Sequence, residues 1–78
     1  MEISKPNITI REIRARERLT QKEFGDSLGV TAQSVASWED DIYRISTTNL
    51  IKLCSTYNVS SFDLLGIWYF SILILVEI

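Results

Sequence analysis

Residues 19–39 read LTQKEFGDSLGVTAQSVASWE, two short amphipathic segments hinged at Gly29. Thr20 is followed three residues on by Glu23, so the threonine oxygen can accept an orphan helix N–H while the glutamate reaches back to the threonine amide. A helix is predicted from about Gln21. Phe24 and Leu28 lie four apart on one face, and Gly29 can take the left-handed conformation that stops a helix without steric cost. Val30 seals the turn as an apolar plug, and Thr31 caps a second segment whose inward residues are Val35 and Trp38, three apart. Gly25 lies inside the first segment, where a glycine costs ~1 kcal/mol against alanine, and a close approach of crossing helices is the expected compensation. The stretch reads as a helix-turn-helix.

Seventy-eight residues hold one domain with a small core, which leaves dimerisation as a source of further stability. One cysteine and no histidine exclude a disulfide within the monomer, a Cys/His zinc site and any serine-histidine or cysteine-histidine catalytic pair. The expectation is therefore a non-enzymatic protein with no cofactor or metal, in a reducing cytoplasm. Residues 1–6 lack the apolar stretch of a signal peptide. The net charge of −2 conceals an asymmetry. Residues 1–22 set Lys5, Arg11, Arg14, Arg16, Arg18 and Lys22 against Glu2, Glu12 and Glu17, whereas the remainder sets Arg44 and Lys52 against seven acidic residues. A basic end on an acidic body suits weak, oriented DNA binding and equally a basic protein partner.

Outward from the central stretch, residues 1–7 read as an arm in which Asn7 caps a first helix, with Ile10 and Ile13 as its apolar face. After Glu39 come Asp40 and Asp41. They either repel a nearby phosphate strand, offset only by Arg44, or simply form a turn through hydrogen bonds to their own backbone. Ser46 caps a fourth helix with Leu50, Leu53 and Tyr57 inward and Cys54 at the core or its boundary. Asn58 ends it, Val59 packs in the turn, and Ser60 with Asp63 opens a fifth helix through Phe62, Leu64 and Leu65 to about Gly66. The predicted fold is all-α, a five-helix domain over residues 1–66 with a hydrophobic tail over residues 67–78.

Leu19-Thr20-Gln21, Gly29-Val30-Thr31, Val35, Trp38 and Glu39, preceded by Ile10-Arg11 and Ile13-Arg14, resemble the lambda-repressor-like helix-turn-helix family. That family includes phage repressors, Cro proteins and many bacterial regulators, and the resemblance runs from about Ile8 to Gly66. It implies a prophage-type transcriptional regulator that binds double-stranded DNA as a homodimer, with helix 3 in the major groove and helix 2 across the backbone. By resemblance the base-reading positions fall on Ala32, Gln33 and Ser37, and Gln21 matches the residue that anchors the start of helix 2. With Thr31, Ser34, Lys22 and Arg44 these make the expected DNA-binding set. Gln33 carries the sharpest expectation, because its amide can pair bidentately with adenine for about 1–3 kcal/mol of discrimination, and Ala32 suits a thymine methyl. The resemblance also implies an ion pair between Arg14 and Glu39 that fixes helix 3 on helix 1. Asp40-Asp41 depart from the family, which usually places glycine and basic residues there. The alternative function is accordingly a protein-interaction module on the same scaffold, an antitoxin-like or antirepressor-like partner.

Residues 67–76, IWYFSILILV, are almost uninterruptedly apolar. Their aromatic and β-branched content favours a strand, although periodicity does not distinguish it from a buried helix. Exposed, such a run forms an apolar patch, so it is expected to be a dimerisation element through Trp68, Phe70, Ile72 and Ile74. Two alternatives stay open. The run either folds back onto its own core or begins a membrane helix, for which its length falls well short of the ~20 residues needed.

Overall fold

Each helix begins on a side-chain oxygen, so the element boundaries follow from a handful of hydroxyls. The computed structural model describes residues 7–66, and these form α1 (Ile10–Glu17), α2 (Gln21–Leu28), α3 (Ala32–Asp40), a 3-10 turn (Ile42–Arg44), α4 (Thr47–Tyr57) and α5 (Ser61–Leu65). No strand occurs among the described residues. Thr20 accepts the Glu23 amide at 3.1 Å while Glu23 accepts the Thr20 amide at 2.9 Å. Thr31 accepts from Ser34 and Ser46 from Asn49. Gly29 closes α2 at φ 72°.

The cap of α1 departs from the sequence expectation. It is Thr9, which makes a reciprocal box with Glu12, and not Asn7. The reason is spacing, because only Thr9 has a glutamate three residues on. Asn7 instead ties the arm to α5: its amide donates to the Asp63 carbonyl at 2.8 Å and its Nδ2 to Asp63 Oδ1 at 3.2 Å.

The core is built from Ile10 and Ile13 of α1, Phe24 and Leu28 of α2, Val35 and Trp38 of α3, Leu53 of α4, and Leu64 and Leu65 of α5. Leu50, Cys54 and Tyr57 pack against it from α4, and the Tyr57 ring stacks on Phe24 at 4.8 Å. Phe62, read with Leu64 and Leu65, is 47% exposed, since a helix of five residues cannot turn all three inward. Gly25 is required by backbone: an added Cβ would stand 2.7 Å from the Val30 carbonyl oxygen and 3.1 Å from that of Thr31. The close approach is thus to the turn itself. Among the described residues no helix is long and apolar enough to cross a membrane. The expected strand, membrane and dimerisation roles of residues 67–78, including Trp68, Phe70, Ile72 and Ile74, lie outside the described residues.

Candidate nucleic-acid interface

Val35 and Trp38 bury one side of α3, and this fixes what the other side can offer. Gln33 is exposed, while Ala32, Ser34, Ala36 and Ser37 are half-buried. The outer surface of α3 therefore carries one long polar side chain amid small ones. Ser34 is partly committed, because its amide and hydroxyl both engage Thr31 Oγ1 at 3.1 Å.

The far end of α3 is held by one carboxylate. Arg14 donates to Glu39 through Nε at 2.5 Å and Nη2 at 3.1 Å, and a third hydrogen bond runs from Arg14 Nη1 to the Leu19 carbonyl. Gln21 Nε2 and Arg11 Nε also reach Glu39 Oε1, at 3.1 Å and 3.3 Å. The Glu39 side chain is 1% exposed. Burial alone would raise its pKa, but the hydrogen bonds from Arg14, Gln21 and Arg11 outweigh burial and hold it below the ordinary carboxylate value. The bond to Glu39 likewise raises the Arg14 pKa. Arg11 had no assigned part in the sequence reading, yet it lies three residues before Arg14 on the same helical face, which is the signal that places both beside Glu39.

The cations expected at phosphates are not idle. Lys22 Nζ donates to Asp26 at 2.8 Å, four residues on, and that hydrogen bond raises its pKa. Arg44 lies 3.7 Å from Asp40 and 3.9 Å from Asp41, with Nη1 also donating to Ser37 Oγ at 3.4 Å. Asp41 has a structural task as well, since its Oδ1 accepts the Tyr43 amide at 3.1 Å and so caps the 3-10 turn. Gln21, expected to anchor α2, spends one amide hydrogen on Glu39. The structure brings Thr31, Ser34 and Gln33 to the start of α3, Arg14, Gln21 and Glu39 to one buried node, and Ser37 with Arg44 to the opposite end. Lys22 stands apart on α2. Among the described residues no group of acidic, cysteine or histidine side chains could hold a metal ion.

A family model described as helix-turn-helix matches residues 10–64. An uncharacterised HTH-type transcriptional regulator of Bacillus subtilis, YgzD, is 33% identical over 54 residues, 69% of this chain and 82% of that protein. ImmR, an HTH-type transcriptional regulator of the same species, is 35% identical over 57 residues, and the antitoxin PezA of Streptococcus pneumoniae is 32% identical over 57 residues. The matched part of this chain spans only 45% of ImmR and 36% of PezA. No solved structure gives a significant match.

Proposed function

The chain belongs to the lambda-repressor-like helix-turn-helix family of DNA-binding transcriptional regulators, and from that premise we propose that it acts as a repressor or Cro-type protein. In this reading two copies lay α3 into successive major grooves, and no enzymatic step is involved. The observation that carries it is α3 itself, clamped at its end by Arg14, Gln21 and Arg11 through Glu39 and presenting exposed Gln33 near its capped start. A clamped helix delivers its side chains to base edges in one register. Gln33 reads an adenine, Ala32 meets a thymine methyl, and Ser37 is small enough to let the helix sit close. Thr31 and Ser34 line the entry, while Gln21, Lys22 and Arg44 approach phosphates, the last two by exchanging an aspartate for a phosphate.

A second reading is favoured by that exchange. Because Asp26, Asp40 and Asp41 already occupy the cations, a protein-binding role such as that of an antitoxin stays in play. Titration of genomic DNA against salt separates the two. A DNA binder loses affinity at roughly 0.9 log unit per log unit of salt for each phosphate neutralised, and Gln33→Ala relaxes the preference at one base position without weakening binding to scrambled DNA. Flat salt dependence, or no effect of Gln33→Ala on any sequence, would favour the protein partner.

A further inference from the structure

A cleft of about 490 Å³ opens between the start of α1, the end of α3 and α5. Ile8, Ile10, Trp38, Ile42 and Leu64 line one half of it, and Thr9, Arg11, Glu39, Asp40 and Asp41 line the polar half. The volume suits a few apolar side chains, because cavities of roughly 300–1,000 Å³ accommodate a drug-sized group. The chain itself passes beside it. Leu64 lines the cleft, and two residues later Gly66 is buried, with its amide donating to the Phe62 carbonyl at 2.8 Å. Tyr43 Oη donates to the Leu65 carbonyl at 2.6 Å, so the segment leading out of α5 is pinned to the 3-10 turn that forms another wall of the cleft. Twelve residues follow Gly66, and ten of them, Ile67 to Val76, are apolar except for Ser71.

We propose that this cleft seats the leading residues of the chain's own segment 67–78. Three observations converge on that occupant: an open cleft with an apolar half, a buried chain exit beside it, and an apolar run starting at that exit. A tethered segment meets its seat at an effective concentration in the millimolar range, which a separate partner rarely matches. The run is apolar on both faces, so the seat takes one face and leaves the other for a second copy.

Disulfide trapping in a Cys54→Ser background tests the seat without reference to DNA. Asp40 and Ser55 are both exposed, Asp40 at the cleft and Ser55 at the separate groove between α2 and α4. The Asp40→Cys, Ser71→Cys chain is expected to oxidise at least ~tenfold faster than the Ser55→Cys, Ser71→Cys chain, reflecting the higher local concentration, and to give a product of monomer mass. Equal rates overturn the proposal. So does a product of dimer mass that joins position 40 of one chain to position 71 of another, which would put the segment on a second copy, or faster closure of an Asp40→Cys, Ser4→Cys chain, which would give the cleft to residues 1–6.

Discussion

At Glu39 desolvation and hydrogen bonding pull one carboxylate in opposite directions, and the outcome sets its pH behaviour. The folded pKa lies below the ordinary value, so the node's contribution is complete above the unfolded glutamate pKa of about 4.3 and is lost as pH falls through the lower folded value. Glu39→Gln should therefore lower the urea midpoint at neutral pH, and the gap to the parent chain should narrow on acidification; a gap that stays constant to pH 3 would mean the charge is irrelevant. Removing Arg14 leaves a carboxylate that is 1% exposed with weaker partners. Arg14→Ala should cost about 3 kcal/mol, the low end for breaking a buried pair, because Arg14 itself keeps 20% exposure. Gly25 argues the other way from its helix propensity. Alanine would add ~1 kcal/mol of propensity, but its Cβ would meet the Val30 carbonyl oxygen at 2.7 Å, and overpacking of that kind costs about 1–3 kcal/mol or more. Gly25→Ala is expected to lower the thermal midpoint. The need for glycine here is visible in sequence, whereas its cause, a turn carbonyl, depends on how α2 and α3 cross.

The elements were legible because their caps are local chemistry. Thr20 with Glu23, Thr31, Ser46 and Gly29 each mark a boundary through neighbours at most three residues away, and the structure places a cap at every one of them. What sequence leaves open is pairing across elements. Nothing local says that Tyr43 reaches the Leu65 carbonyl or that Asn7 ties to Asp63. Arg44 differs, since its two aspartate partners lie only three and four residues before it and the sequence already sets them against it. On the proposed function those partners at the end of α3 matter to DNA. Asp40→Asn with Asp41→Asn keeps the side-chain acceptor that caps the 3-10 turn while removing both charges beside Arg44. On the DNA-binding reading, the double variant should bind all sequences more tightly, with a salt slope steeper by about 0.9 if Arg44 gains one phosphate. An unchanged slope in a gel-shift series would leave Arg44 outside the interface.

For the whole molecule the question is how a small core supports a protein that, on the proposed reading, presents two recognition helices. Among the described residues nine buried side chains form the core, with none of them polar, so little apolar surface remains there with which to hide a further hydrophobic run. On the proposed seating the cleft takes only part of residues 67–78, and the remaining face is proposed to pair with its copy in a two-fold dimer. Paired half-sites lie about 34–36 Å apart on DNA, a span that one domain of this size does not cover with a single α3. Deleting residues 67–78 should then convert dimer to monomer in sedimentation and lower the affinity for a two-half-site operator. The affinity for an isolated half-site should remain, because the node at Glu39 and the start of α3 lie wholly within residues 7–66. That asymmetry is the discriminating result: equal loss on one and two half-sites would assign the segment to folding, and a full chain already monomeric at high concentration would remove it from dimerisation.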